Sequence, residues 1–171
     1  MIDEILARLG RMLRFDHTVY PEIANDGEAT AQAIVVVLVT ALLSGLGAGI
    51  SGRSIGAFLF TILLRVPLGW LLWSGLVYLI GTRLFAGQAT FWHVARVLGY
   101  ASAPLALGVL SAFTCLGPLF GLAGALLALL LGFFATRETL GLATEKALLT
   151  ILISWVLSLL LGVLVPVPWR W

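Results

Sequence analysis

The sequence predicts an all-α membrane protein, a bundle of five transmembrane helices with an N-terminal amphipathic helix on the cytoplasmic side. Hydrophobic residues make up 61% of the 171 residues and charged residues only 11%. Soluble domains average about 45–50% apolar and about 25% charged residues. So few charges cannot coat a water-exposed surface, and so apolar a chain does not have the composition of a disordered protein. The remaining charges are also clustered along the chain, which leaves long apolar runs between them.

The first element is the N-terminal segment, residues 1–30. It holds six of the eight acidic residues, and its apolar side chains recur at the three- and four-residue spacing of one helix face. These apolar side chains are Ile2, Ile5, Leu6, Leu9, Met12 and Leu13. The pattern predicts an amphipathic cytoplasmic helix. Two placements are open: the helix lies on the lipid surface, or it packs against the membrane helices.

The charge-free runs cover residues 29–52, 66–82, 97–136 and 147–169. A helix needs about 20 apolar residues to cross the roughly 30 Å hydrocarbon core. The third run is long enough for two crossings, and Gly117-Pro118 supplies the break between them. We therefore predict helices near residues 31–50, 57–80, 94–113, 118–135 and 147–165, within one transmembrane domain over residues 31–171.

The basic residues predict the orientation. Five crossings place seven of the ten basic residues on the side of the N-terminal segment, namely Arg8, Arg11, Arg14, Arg83, Arg96, Arg137 and Lys146. The other side has Arg53 and Arg170. Because basic loops stay cytoplasmic, we expect the N-terminus inside and the C-terminus outside. The single cysteine, Cys115, is then expected in a short outer loop.

Arg65 is the one charge expected within a span, near its outer end. An intramembrane charge is a functional hypothesis by default, which gives the alternative of a small transporter or channel. An arginine this close to the boundary can also extend to lipid phosphate, and we favour that reading. Pro67 beside it is expected to kink the helix.

Catalysis has little support from the sequence. Gly47 to Gly52 spell G-x-G-x-x-G, but they follow a membrane helix rather than a strand, so we interpret these glycines as helix termination or close packing. Neither His17 nor His93 has a second histidine or a cysteine at a metal-ligand spacing. We predict a protein that is not an enzyme and has no catalytic residue, metal or cofactor. Nucleic acid is not an expected partner, because the chain lacks a basic face.

Polar clusters gather at the helix ends of the predicted cytoplasmic face. We expect them to form an interaction surface, and oppositely charged members could pair, for example Arg96 or Arg137 with Glu22 or Asp26. The candidate residues are Asp16, Tyr20, Glu22, Asp26, Thr30, Gln32, Arg83, Arg96, Tyr100, Arg137, Glu138 and Lys146.

Several of these residues carry a resemblance to a known family. They include Tyr20-x-Glu22-Ile23 with Thr30-x-Gln32-Ala33, the stretch from Trp70 to Gly81, Arg96-x-x-Gly99-Tyr100-Ala101-x-Ala103-Pro104, and Arg137-Glu138 with Lys146-Ala147. In their order and spacing the sequence resembles the prokaryotic branch of the YIP (Ypt/Rab-interacting protein) domain family. The resemblance implies five membrane helices and a cytoplasmic N-terminus.

Eukaryotic members of that family bind Rab GTPases. Their Asp-Leu-x-Gly-Pro signature is absent here, where the chain has Gly27-Glu28-Ala29-Thr30, so a Rab-type GTPase is not expected. We expect instead a multi-pass protein of the bacterial inner membrane that acts as an interaction or scaffold protein, as an accessory subunit of a membrane complex, or in membrane organisation. Its expected partners are membrane lipids and either another membrane protein or further copies of itself.

Overall fold

The computed structural model describes residues 1–47, 55–112 and 117–164, and these residues are helical nearly throughout, with no strand among them. Eight α-helices follow in order, with a π-helical turn between α4 and α5 and a 3-10 helix after α6. Their bounds are α1 Ile2–Leu13, α2 Val19–Asn25, α3 Ala29–Gly47, α4 Ile55–Phe60, the π turn Thr61–Arg65, α5 Val66–Arg83, α6 Phe91–Ala101, the 3-10 helix Ala103–Ala112, α7 Gly117–Leu140 and α8 Thr144–Leu164. Cys115 and residues 48–52 of the glycine motif lie outside the described residues.

Within this described part of the chain, four helices are long and apolar enough to cross a membrane. They are Ala29–Leu46, Phe58–Arg83, Phe91–Leu110 and Leu119–Leu140. Each coincides with one predicted span to within a few residues. Helix α8 has 21 residues and occupies the place of the fifth predicted span, but it is not one of these four. A multi-pass membrane protein is therefore shown, and the count of five remains a prediction.

The second span changes its helical form next to Pro67. Proline has no N–H and its ring collides with the carbonyl four residues back, here that of Leu63. The chain accommodates this with the π turn, in which the Val66 N–H donates to the carbonyl of Thr61, five residues earlier. A widened turn thus stands where the sequence predicted a kink, and it ends at Arg65.

The third span also changes form, at Pro104. Helix α6 ends at Ala101, and after Ser102 the ten residues Ala103–Ala112 form a 3-10 helix, which is unusually long for that conformation. This tighter helix lies between α3 and α7. The Ser44 hydroxyl of α3 donates to the Leu105 carbonyl at 2.7 Å. On the other side, a Cβ at Gly124 of α7 would lie only 2.6 Å from the Pro104 carbonyl oxygen. Glycine is therefore required at this crossing.

The buried core lies at one end of the bundle. Tyr20 and Ile23 of α2 are fully buried against Val97 and Tyr100 of α6, and Leu131 of α7 joins the same cluster. Along the spans, by contrast, many leucines are exposed, among them Leu63, Leu122 and Leu126. Exposed leucines on an apolar span are what a lipid-facing surface requires. The N-terminal segment and the helix ends it covers thus contribute much of the buried core of the described residues.

Candidate interaction site at the N-terminal end of the bundle

Arg8 lies at the centre of the contacts between the N-terminal segment and the bundle, and its side chain is only 8% exposed. Its guanidinium contacts three carboxylates, those of Asp26 at 2.7 Å and of Glu4 and Glu22 at 3.2 Å each. Nη1 donates a fourth bond to Oε1 of Gln32 at 2.8 Å. The planar fork of arginine suits such a set of acceptors. We call Arg8 and its partners Glu4, Glu22, Asp26, Gln32 and Tyr100 the Arg8 cluster.

Gln32 and Tyr100 connect this cluster to two membrane helices. Gln32 lies in the first turn of α3 and is 3% exposed, and its Nε2 donates to Oε2 of Glu4 at 2.8 Å. The hydroxyl of Tyr100, a fully buried residue of α6, donates to the same Gln32 oxygen that accepts from Arg8. The cluster therefore joins α1, α3 and α6 through the buried bonds to Gln32, and it joins α1 to α2 through part-buried ion pairs.

A second, more exposed set of contacts surrounds Arg11. Its guanidinium contacts Asp16 at 2.9 Å and Glu22 at 2.5 Å. Asp16 also accepts from the Thr18 hydroxyl at 2.6 Å and from the Thr18 N–H at 3.0 Å, just where α2 begins. These Thr18 bonds, together with Arg11, lower the pKa of Asp16 to about 2. The Asp16 carboxylate is thus ionised at neutral pH, and its hydrogen bonds stabilise the α1–α2 turn.

The two arginines also fix the charge of the other acids. The pKa of Glu22 is lowered chiefly by its bond to Arg11, and the pKa of Asp26 chiefly by its bond to Arg8. Arg8 in turn has a raised pKa, because these hydrogen bonds outweigh its desolvation. Both carboxylates therefore stay ionised at neutral pH.

Arg96 does not pair with a carboxylate of the described residues and instead donates hydrogen bonds at the end of α2. Its Nε donates to the Thr30 hydroxyl at 2.7 Å, and its Nη1 donates to the Ala24 carbonyl at 2.7 Å. Ala24 is in the last turn of α2, where carbonyls lack helical partners and attract cations. The expected pairing of Arg96 or Arg137 with Glu22 or Asp26 is wrong. Asp26 pairs with Arg8, and Glu22 pairs with both Arg8 and Arg11, because α1 brings these two arginines close to α2.

Helix α7 binds the turn between α1 and α2. His17 Nδ1 lies 3.3 Å from Oε1 of Glu138, and Arg137 Nε lies 3.8 Å from the same oxygen. The rings of Phe15 and His17 meet Phe134 edge to face, with centroids 5.6 and 5.4 Å apart. The turn is therefore held by one polar and two aromatic contacts.

Tyr20 belongs to the interior of the site. It is fully buried, and burial, with smaller effects from Glu138 and Asp16, raises its pKa to about 12. Tyr20, Gln32 and Tyr100 are thus internal residues in the single chain and do not line its surface. The predicted set also includes Arg83 at the end of α5 and Lys146 at the start of α8, and both are exposed.

Sequence reasoning missed several residues of the site. Arg8, Glu4 and Arg11 are central to it, and Phe15 and His17 extend it to α7, yet none was among the candidates. One signal could have found Arg8. It lies three residues after Ile5 and four before Met12, on the same helix face, and both of those side chains are buried.

Arg65 lies apart from this site. It is half-buried at the end of the π turn, well away along the second span from the cluster at the N-terminal end. An apolar groove of about 260 Å³ between α3 and the α4–π segment is lined by Leu38, Val39, Leu42, Leu59, Ile62 and Leu63. Several residues of this groove are exposed, among them Val39, Leu59 and Leu63.

Comparison with known proteins adds one match. The comparisons with curated proteins and with solved structures gave no match. Residues 13–165, most of the chain, match the Yip1 domain. The match begins at the last residue of α1 and extends to one residue past α8, so it takes in α2 and every membrane helix described above. The chain belongs to the Yip1 domain family.

Proposed function

We propose that this Yip1 domain protein acts as an interaction or scaffold protein whose N-terminal segment presents a fixed binding surface to a partner protein. In this proposal α8 is the fifth span, the N-terminal segment is cytoplasmic, the C-terminus is outside, and the membrane is the bacterial inner membrane. The observation that carries the proposal is the Arg8 cluster, which holds the segment in one arrangement against α3 and α6.

The polar contacts of the Arg8 cluster do more than attach the N-terminal segment, because they also select its orientation. Burying a charge costs several kcal/mol unless its partners are well placed, and apolar side chains could attach a helix without that cost. Arg8 meets four acceptors at 2.7–3.2 Å, so its burial selects one orientation of α1 and α2. A surface that must match a partner benefits from such a fixed orientation.

The outward face of α2 is the surface this arrangement presents. Val19, Tyr20, Ile23 and Ala24 face the core, whereas Pro21, Glu22 and Asn25 are exposed at the positions between them. Gly27 and Glu28 extend the exposed strip toward α3. Such a polar, well-supported surface suits a protein partner more than lipid.

The ionisation of the acidic residues that pair with Arg8 and Arg11 favours binding over catalysis. A general acid or base works best when its pKa is near the ambient pH. The pKa values of Asp16, Glu22 and Asp26 are all lowered, and their oxygens already accept from Arg8 or Arg11. These carboxylates hold structure together and are unsuited to moving protons at neutral pH. We therefore propose a role that is not enzymatic.

Copurification from native membranes tests the proposal. The wild type, an Asn25→Arg/Glu28→Arg variant of the exposed strip, and a Glu145→Arg control on exposed α8 are each isolated in mild detergent and examined by mass spectrometry. We expect a stoichiometric protein partner with the wild type and the control, and its loss from the double variant. Recovery of all three as free monomers or homo-oligomers would overturn the proposal.

A further inference from the structure

Helix α1 has two different apolar faces. Ile5 and Met12 are buried with Arg8 on one arc, at 7% and 0% exposure. On the neighbouring arc, Ile2, Leu6 and Leu13 are 66%, 61% and 50% exposed. Positions 2, 6 and 13 lie on one helix face, since they are separated by four and seven residues. The packing against the bundle therefore uses only half of the apolar surface of α1.

The remaining side of α1 is polar. Asp3 and Ala7 are exposed there, and Arg11 is half-buried among Asp16, Thr18 and Glu22. Going round the helix, a packed arc is followed by an exposed apolar arc and then by a polar arc. A helix with this order of faces is suited to a boundary where protein, lipid and water meet.

Two contacts place α1 at the height of the membrane boundary. Arg8 bonds to Gln32, which is in the first turn of the span Ala29–Leu46. Just beyond the C-terminal end of α1, Phe15 packs against Phe134. Phe134 is six residues from the end of the span Leu119–Leu140, or about 9 Å at 1.5 Å per residue. The helix thus lies beside the ends of two spans, where the acyl chains give way to the headgroups.

From these positions we infer that Ile2, Leu6 and Leu13 insert into the lipid of the adjacent leaflet. On α3, two and three residues after Gln32, Ile34 and Val35 are 40% and 36% exposed, so the first span also presents apolar surface close to the residue that binds α1. Arg14 follows Leu13 and is exposed, within reach of headgroup phosphates. The occupant of this surface is the bilayer, and it needs no protein partner.

Spin labels on adjacent residues test the inference. Position 6 is on the apolar arc and position 7 is on the polar arc, so Leu6→Cys and Ala7→Cys form a matched pair in a Cys115→Ser background. Each labelled protein is reconstituted alone into vesicles of phosphatidylethanolamine and phosphatidylglycerol. Collisions with oxygen, which concentrates in lipid, are compared with collisions with a water-soluble nickel chelate.

We expect the label at position 6 to collide mainly with oxygen and the label at position 7 mainly with nickel. Nickel access at both positions would overturn the inference. Shielding of position 6 from both reagents would also overturn it, since it would mean that a second copy covers the arc. A second pair, Leu13→Cys and Arg14→Cys, gives the same comparison if either label at positions 6 and 7 disturbs folding. Because only lipid is present, the result is independent of the proposed protein partner.

Discussion

At the scale of single residues, Arg8 shows what the sequence could and could not reveal. The helical spacing predicted an apolar pattern in α1, but both arcs of that helix are apolar, so the pattern alone does not indicate which arc meets the bundle. The partners of Arg8 are also distant in the chain. Gln32 is 24 residues away, and Tyr100 is 68 residues from Gln32. Such contacts depend on how the helices pack, which local patterns do not encode.

Replacement of Arg8 should loosen the N-terminal segment. Arg8→Met removes one of the two donors to the buried Gln32 oxygen, which keeps Tyr100. It also leaves Glu4 and Asp26 without this cation, whereas Glu22 keeps Arg11. Breaking a buried ion pair typically costs about 3–5 kcal/mol. Because Glu4, Glu22 and Asp26 are 25–46% exposed and can rehydrate, we expect a loss of about 2–4 kcal/mol. Hydrogen exchange of α1 and α2 measures it. Arg14→Met is the control, and this exposed change should stay within about 0.5 kcal/mol. Equal protection in both variants would contradict the role of Arg8.

The same residues predict a dependence on acid. The folded protein lowers the pKa of Asp16 from 3.8 to about 2, and it lowers those of Glu22 from 4.5 and Asp26 from 3.8. Groups with a lowered folded pKa stabilise above their unfolded pKa, and this contribution disappears as the pH falls through the folded value. Attachment of the segment should therefore be constant from pH 7 to about pH 5 and weaken between about pH 4.5 and pH 2. Proteolysis of the α1–α2 turn by an acid-active protease checks this. An Asp26→Asn variant should show a smaller acid-dependent change than the wild type, and an equal change would contradict the assignment.

At the scale of the elements, hydropathy predicted where the helices run, because the length of an apolar stretch is set by the bilayer. It did not predict their hydrogen-bond register. The residues of the π turn before Pro67 and of the 3-10 helix from Ala103 are as apolar as those of the α-helices. Composition therefore cannot distinguish the π and 3-10 forms from the α form. Hydropathy also did not predict where helices cross closely, since an added Cβ at Gly121 of α7 has no atom within 4 Å. Among the glycines that the structure describes, an added Cβ would come closer than 3.0 Å to a neighbouring atom at Gly81, Gly99 and Gly124.

Gly99 should be indispensable to the contact between α3 and α6. A Cβ at this position would lie 2.8 Å from the Ala33 Cβ and 3.3 Å from Trp70 Cζ2. Ala33 has no flexible side chain that can give way, so Gly99→Ala should destabilise the protein by about 1–3 kcal/mol. Gly121→Ala is the matched control and should be neutral or stabilise by up to about 1 kcal/mol through helix propensity. Unfolding midpoints in detergent measure both. A Gly99→Ala protein as stable as the control would show that the helices are farther apart than described.

At the scale of the whole molecule, the scarcity of charge has a structural meaning. All eight acidic residues belong to the side predicted to be cytoplasmic, and four of them pair with Arg8 and Arg11 inside the N-terminal segment. Gln32 of α3 bonds to Arg8 and Glu4 and so joins the segment to a membrane helix. Family membership agrees with this architecture and the match takes in α2. The sequence predicted an interaction surface of polar residues at these helix ends, but it did not include Arg8, Glu4 or Arg11. Only the packing of the helices shows which of the polar residues are buried contacts and which are exposed.

A cross-link between the N-terminal segment and α7 tests this account most directly. His17 and Glu138 approach to 3.3 Å, so His17→Cys/Glu138→Cys in a Cys115→Ser background places two thiols side by side. In intact cells we predict an intrachain cross-link with a short membrane-permeant thiol reagent, and none with an impermeant reagent of the same length. Each single-cysteine variant, labelled with maleimide after lysis, controls for reactivity. Failure to cross-link while both thiols react, or cross-linking by the impermeant reagent, would contradict a segment docked on the cytoplasmic ends of the helices.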